Sequence, residues 1–179
     1  MKYFEPLHSS WLQYVRRFVR HYTTGSWETR RLLPSDAQAH LADLIERSEM
    51  AHTGEIAIAF ETRLPFAYLA RRIVPRDRAW RVFSKMQVWD TPQNNGVLIY
   101  FLVAERRVEL VADRGLADVI PQAQWDSWVR DLNASVHGAT LAQGLAHLVE
   151  SLGQALTQHF PQHLSEVTQN RVSNQPKVL

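Results

Sequence analysis

The chain has 179 residues, of which 45% are hydrophobic and 21% charged, and its formal net charge is +2. This length and composition are typical of one globular domain and exclude a disordered or fibrous protein. Because the chain has no Cys, disulfides, thiolate metal sites and every mechanism that uses a cysteine nucleophile are excluded.

The amino terminus predicts a cytoplasmic protein. Its first residues lead directly into a basic stretch and show no apolar core of a signal peptide. The longest uninterrupted apolar run, residues 97–104, is far shorter than the roughly 20 residues that a membrane span needs. A peripheral contact with the membrane remains compatible with this location.

Residues 7–22 are predicted to form an amphipathic helix, because apolar residues recur at helical spacing and cations lie beside them. Such a helix can dock on a partner or on an anionic membrane, or it can pack its apolar face on its own domain. The candidate partner or membrane face consists of Trp11, Arg16, Arg17, Phe18 and Arg20.

Alternating helix and strand patterns follow along the chain. They predict, in order, a helix from residue 35, a strand at 55–62, a helix at 76–89, strands at 97–104 and 108–112, and helices from 121 and 140. The nearly continuous apolar character of 97–104 is typical of a strand that is covered on both faces. Only a few residues separate it from the next strand, which favours an antiparallel hairpin.

These elements predict an α/β fold. We expect a three-layer α/β/α sandwich with a small mixed sheet of about four strands and an extra N-terminal helix. The expected organisation is an amphipathic helical extension at 1–33, the α/β domain at 34–164 and a loose tail at 165–179.

Polar residues bracket the predicted strands. In layered α/β folds ligands bind beyond strand ends, and carboxylate and amide oxygens there would suit Mg²⁺ or Ca²⁺. The alternative is that these residues only cap helices and form turns. The residues concerned are Glu55, Asp90, Asn94, Asn95, Glu105, Arg106, Asp113 and Arg114.

The common catalytic motifs are absent from the sequence. It has no G-x-S-x-G, no Walker loop, no G-x-G-x-x-G and no H-E-x-x-H. Of the eight His residues, only His52, beside the first predicted strand, remains a candidate for chemistry.

Three stretches of the chain resemble the TPM domain family. They are HTGEIAIAF at 52–60, residues 82–115 and GLAHLVESLGQALTQHFP at 144–161, and the specific part is NNGVLIYFLVAERRVELVADRG. The resemblance covers about residues 34–161 and implies a sheet flanked by helices. Within the family, the chain is similar to the type that has no signal peptide and no membrane helix.

The resemblance also implies an acidic cleft that would hold Ca²⁺ or Mg²⁺. Glu105 stands where many relatives have Asp, so its oxygens would be shifted by a methylene. Some members of the family are described as acid phosphatases, others as cation binders or accessory proteins of membrane complexes. Bacterial relatives often sit beside a LemA-like membrane protein, which implies a membrane-associated partner. The implied cleft residues are Glu55, Asn94, Asn95, Glu105 and Asp113.

Two functions follow as expectations. The first is a non-catalytic interaction or assembly module with a divalent-cation cleft. The second is a metal-dependent acid phosphatase, a phosphomonoesterase, for which Asp90, Asp113 and Arg106 are the candidate catalytic residues, although no evident nucleophile is present.

Nucleic-acid binding is a third interpretation, based on residues 71–85, which carry six cations and one anion. This stretch has the charge that such binding needs but contains no recognised motif, so we expect no nucleic-acid partner. The cations are Arg71, Arg72, Arg76, Arg78, Arg81 and Lys85.

Overall fold

A four-stranded mixed sheet lies at the centre of the protein. The computed structural model describes residues 11–135, 141–162 and 173–179, and the strands are β1 (Ile56–Glu61), β2 (Val97–Leu102), β3 (Arg107–Ala112) and β4 (Lys177–Val178). Their order is β3-β2-β1-β4. Strand β1 runs parallel to both β2 and β4, and β2 and β3 form an antiparallel hairpin.

Helices cover both faces of this sheet. In the described residues they are α1 (Trp11–Thr23), α2 (Ser26–Leu32), α3 (Ser35–Glu49), α4 (Phe66–Ala70), α5 (Pro75–Lys85), α6 (Arg114–Val119), α7 (Gln122–Ser135) and α8 (Leu141–His159). None of these helices is both long enough and apolar enough to cross a membrane.

The sequence of the central strands explains the layers. Every residue of β1 and β2 is buried, and side chains that alternate along a strand point to opposite faces. Ile58, Phe60 and Ile99 pack with apolar residues of α3, α7 and α8. Ala59 and Tyr100 pack on the other face with residues of α4 and α5. The predicted α/β fold, with a sheet flanked by helices and a central strand covered on both faces, is confirmed.

Two elements end earlier than the sequence predicts. The helix expected at 76–89 ends at Lys85, and Gln87 adopts a left-handed backbone conformation with φ 56°. Strand β2 ends at Leu102, and a 3-10 turn over Val103–Glu105 follows. Arg106, with φ 49°, completes the reversal into β3. The short helices α2, α4 and α6 have too few residues for the periodic pattern to reveal them.

The end of the predicted loose tail is ordered against the sheet. Lys177 and Val178 pair with Ala59 and Phe60, and the Leu179 N–H donates to the Phe60 carbonyl oxygen at 2.7 Å. A loose tail is therefore wrong for these residues, because the open edge of β1 offers backbone groups that they satisfy. Residues 163–172 lie outside the described part of the chain, as do residues 1–10 and 136–140.

Candidate functional site

The sheet has two polar ends, which we name by the direction of β1 and β2. At the amino end, the parallel strands begin and β3 finishes, so that Glu55, Asn95 and Asp113 all lie there. Backbone hydrogen bonds join the loops: the Asp113 N–H donates to the Gly96 carbonyl at 2.9 Å, and the Gly115 N–H donates to the Asn94 carbonyl at 2.9 Å. Four of the five predicted cation ligands therefore share one end of the sheet.

Asn95 is the most enclosed of these residues, with no exposed surface. Its Nδ2 donates to Thr53 Oγ1 at 3.0 Å, and the Thr53 hydroxyl donates to Gln93 Oε1 at 2.7 Å. Its backbone N–H donates to Thr91 Oγ1 at 2.9 Å. The Asn95 side chain thus ties the loop before β1 to the loop before β2, and its Oδ1 has no hydrogen-bond partner among the described residues.

The two carboxylate oxygens of Asp113 have different surroundings. Its Oδ1 accepts the Arg114 N–H at 2.7 Å and caps α6, while Oδ2 is buried and has no hydrogen-bond partner within the described residues. The backbone at Gly115 packs against the loop before β2, where a side chain would not fit, because a Cβ there would lie 2.4 Å from the Gln93 carbonyl oxygen. A cleft of about 420 Å³ opens beside the carboxylate, lined by Trp80, Phe83, Ser84, Trp89, Asn94, Asp113 and Arg114.

The candidate catalytic residues do not converge. Asp90 lies in the turn after α5, where its N–H donates to the Gln87 carbonyl at 2.9 Å, and it does not line the cleft that holds Asp113. Arg106 is exposed in the hairpin turn at the opposite, carboxyl end of the sheet. The six residues of β2 separate Arg106 from Asp113 by about 20 Å of extended strand, so the two cannot act on one substrate atom.

Glu105 also lies at the carboxyl end, and this corrects the prediction of a single five-residue cleft. Arg17 Nε donates to Glu105 Oε1 at 2.7 Å, and Arg17 also donates to the Ile73 carbonyl at 2.7 Å. His21 Nε2 lies 2.9 Å from the same Glu105 oxygen. Glu105, which the family resemblance implies as a cation ligand, is therefore bound by two side chains of α1.

The chemistry of this contact is well defined. His21 Nδ1 accepts the Leu64 N–H at 3.1 Å, so the neutral ring carries its proton on Nε2 and donates it to Glu105. Burial acts to raise the pKa of Glu105, but the His21 hydrogen bond and the Arg17 charge outweigh it, and the pKa is lowered. Glu105 is thus an ionised carboxylate that joins α1 to the hairpin.

A second cleft, of about 370 Å³, lies at the amino end beside the start of β1. Its acidic lining includes Glu46, Glu49 and Glu55, with the buried His52 next to them. Burial raises the pKa of Glu49 to about 7, helped by the neighbouring charge of Glu55. Burial also lowers the pKa of His52 to about 4. The sequence indicated His52 but missed Glu49, which looks like an ordinary residue near a helix end.

The test for a cation ligand set is negative for the part of the chain that the structure describes. Within it, no group of three or more His, Asp or Glu side chains is placed to hold a metal ion. The amino end of the sheet offers Asp113 and amide groups, whereas Glu105 is tied to α1. The residues therefore do not fit the predicted Ca²⁺ or Mg²⁺ cleft as a complete site.

Most cations of the basic stretch at 71–85 make contacts within the fold, although all but Arg78 remain exposed. Arg78 makes two hydrogen bonds to the buried Glu61, of 2.8 and 2.7 Å, and Tyr100 donates to the same carboxylate at 2.6 Å. Arg76 donates to the Leu110 carbonyl, and the Arg72 guanidinium lies 5.3 Å from the centre of the Tyr14 ring. The Arg81 guanidinium lies 5.7 Å from the centre of the Tyr68 ring, so at least four of the six cations make contacts within the fold.

Comparison with known proteins agrees with this architecture. A family model described as "TPM domain" matches residues 28–155. The chain belongs to the TPM domain family. No curated protein matches this TPM domain protein. It is similar to the NMR structure of BA42 from the psychrophilic bacterium Bizionia argentinensis, with 26% identity, a TM-score of 0.70, and coverage of 82% of this chain and 94% of that one.

The five residues of the predicted docking face lie on two different sides of helix α1 in this TPM domain protein. Arg17 and Phe18 turn inward, where Arg17 binds Glu105 and Phe18 meets Phe66 edge to face at 5.7 Å. Trp11, Arg16 and Arg20 remain exposed. They belong to what we call the outer face of α1, which consists of Trp11, Leu12, Arg16, Val19, Arg20 and Tyr22.

Proposed function

We propose that this TPM domain protein is a non-catalytic interaction module that docks on an anionic membrane surface through the outer face of α1. The observation that carries the proposal is the exposure of four large apolar side chains on one helix. Trp11, Leu12, Val19 and Tyr22 are exposed to 74%, 63%, 52% and 78%. A helix that combines such side chains with cations binds membrane interfaces.

Charge supports the choice of an anionic surface. Arg16 and Arg20 are exposed next to the apolar side chains, whereas Arg30 and Arg31, also exposed, belong to α2 and lie outside the outer face of α1. Residues 1–33 carry six cations and two anions. Each cation near an anionic leaflet contributes about 1 kcal/mol to binding.

The inner side of α1 explains why the outer face stays exposed. Arg17 and His21 hold the helix to Glu105, and Phe18 packs on Phe66. Because polar and aromatic contacts fix this side, the apolar residues of the outer face cannot rotate into the core. A membrane-associated protein partner, such as the LemA-like protein that the family resemblance implies, would be met on the same surface.

Vesicle flotation tests this function. We expect the protein to float with vesicles of phosphatidylcholine and phosphatidylglycerol, and much less with phosphatidylcholine alone. The variant Arg16→Glu/Arg20→Glu should lose most of this binding. Arg30→Glu/Arg31→Glu, which makes the same charge change on α2, is the matched control and should retain more binding. Equal flotation of the two variants, or no flotation of the natural protein, would contradict the proposal.

Acid phosphatase activity is the second candidate, and one observation favours it. Asp113 and Arg114 line the same 420 Å³ cleft, so a phosphate ester in it would lie beside the Arg114 guanidinium and next to the Asp113 carboxylate, whose Oδ2 is buried. Among the described residues the catalytic set is incomplete, because Arg106 is at the other end of the sheet and the side chains do not form a complete cation site. Hydrolysis of p-nitrophenyl phosphate by the natural protein that disappears in Asp113→Asn would establish this function. Under the favoured proposal, the natural protein and Asp113→Asn show the same hydrolysis rate.

A further inference from the structure

Within the described part of the chain, a short segment closes the outer edge of β1. Strand β1 has six residues, and among the residues that the structure describes, β4 pairs with Ala59 and Phe60 alone. Near the start of the strand, the Ile56 N–H donates to a side chain, Glu49 Oε1, at 3.2 Å. Edges of this kind are sites at which another extended segment can pair.

The segment that occupies this edge uses two anchors. Pro176 is buried, and Leu179 is partly buried against the cluster that packs under α4 and α5. Lys177 and Val178, between them, are both exposed. The Leu179 N–H donates to the Phe60 carbonyl at 2.7 Å. The contacts of residues 173–179 therefore describe the pattern that the edge accepts, Pro-x-x-Leu in an extended conformation.

We propose that the outer edge of β1 is a docking site for an extended Pro-x-x-Leu segment of a partner protein, and that residues 173–179 occupy it in cis. Strand addition supplies affinity through backbone hydrogen bonds and specificity through the side chains that enter the core. A two-residue ladder gives the resident segment few such bonds to lose. This site goes beyond docking through α1, because it uses the sheet edge and a different kind of partner.

The proposal gives the resident segment the role of a competitor. A site that is occupied in cis binds a ligand in trans with its intrinsic affinity multiplied by the fraction of molecules in which the site is free. Weakening the resident segment therefore strengthens binding of the added segment. Leu179 is the position to change, because it is the anchor at the end of the segment and lies outside the central strands.

Fluorescence anisotropy with a labelled peptide of sequence SNQPKVL, which copies residues 173–179, tests the site. The full chain with Leu179→Asp should bind this peptide about tenfold more tightly than the natural protein. Pro176→Ala, which removes the other anchor, should show the same direction. Lys177→Ala changes an exposed residue of the same segment and should match the natural protein. A peptide with Asp in place of its Leu should not bind.

The results that would overturn the proposal are distinct. One is the absence of peptide binding by Leu179→Asp and Pro176→Ala when circular dichroism shows both to be folded. Another is equal affinity of the peptide for the natural protein and Leu179→Asp. A third is a concentration-dependent dimer of the natural protein that is lost in Leu179→Asp, which would assign the edge to a second copy of this chain.

Discussion

The two ends of the sheet contain similar residue types but have different tasks. At the carboxyl end, Glu61 binds Arg78 and Tyr100, and Glu105 binds Arg17 and His21. At the amino end, Asp113 keeps one oxygen without a hydrogen-bond partner among the described residues. The comparison teaches that a carboxylate at a strand end can bind a ligand only when no side chain from a distant segment of the chain already binds it.

Glu61→Ala should lower the unfolding free energy more than any other change, because it removes the buried carboxylate that binds Arg78 and Tyr100. It leaves the Arg78 guanidinium and the buried Tyr100 hydroxyl without that partner, which costs about 4 kcal/mol of unfolding free energy. Tyr100→Phe removes one hydrogen bond and should cost about 1–2 kcal/mol. Urea unfolding measures both. Similar small losses for the two variants would show that the Glu61–Arg78 pair stabilises little.

At the amino end, two groups with opposite pKa shifts make the unfolding free energy depend on pH. Glu49, with a pKa raised from 4.5 to about 7, favours the folded state at low pH, and this advantage is lost as the pH rises from 4.5 to 7. His52, with a pKa lowered from 6.5 to about 4, favours the folded state above pH 6.5, and this is lost as the pH falls to 4. Each contribution is about 3 kcal/mol, so they nearly cancel in the natural protein.

Single substitutions should separate these opposed contributions. In Glu49→Gln, the unfolding free energy should rise between pH 4 and pH 6.5, because the Glu49 contribution that opposes that of His52 has been removed. In His52→Gln it should fall between pH 4.5 and pH 7. Denaturant unfolding at a series of pH values gives both slopes. Parallel pH profiles for the two variants would contradict the assignment.

Glu105→Ala should cost about 2–3 kcal/mol, since Arg17 and His21 lose a shared and largely buried partner. Glu105→Asp is the informative control, because the side chain is one methylene shorter and should reach α1 less well. We expect an intermediate loss in urea unfolding. Full stability of Glu105→Asp would show that the length of this side chain does not matter to the contact.

Asp113→Ala should have the smallest effect, about 1 kcal/mol, which is the usual loss for a helix cap. Asp113→Asn retains an oxygen that can accept the Arg114 N–H and should lose less. Thermal unfolding of the two variants tests this order. A loss larger than that of Glu105→Ala would reverse the comparison between the two ends of the sheet.

The sequence predicted the layers and the polar residues at strand ends because these features depend on local patterns. The alternation in β1 and the apolar run of β2 specify a sheet that is buried on both faces. The partner of Glu105 could not be predicted, because Arg17 is 88 residues away along the chain. Strand β4 was missed for a related reason: two residues carry no periodic pattern, and only the open edge of β1 makes them a strand.

The orientation of α1 shows the same limit. Periodicity identified an amphipathic helix but placed Phe18 and Arg17 on the docking face. The charged contact with Glu105 and the ring contact with Phe66 turn both residues inward. The apolar residues that remain exposed include Leu12 and Val19, which the sequence pattern did not select.

Backbone amide NMR with anionic bicelles tests the central claim most directly, because it reports on the outer face of α1 and on both ends of the sheet at once. The account predicts that the largest changes occur at Trp11, Leu12, Val19 and Tyr22 of that face, with small changes at Asn94 and Asp113. Changes concentrated at Asn94 and Asp113 would contradict it, as would a spectrum that the bicelles leave unaltered.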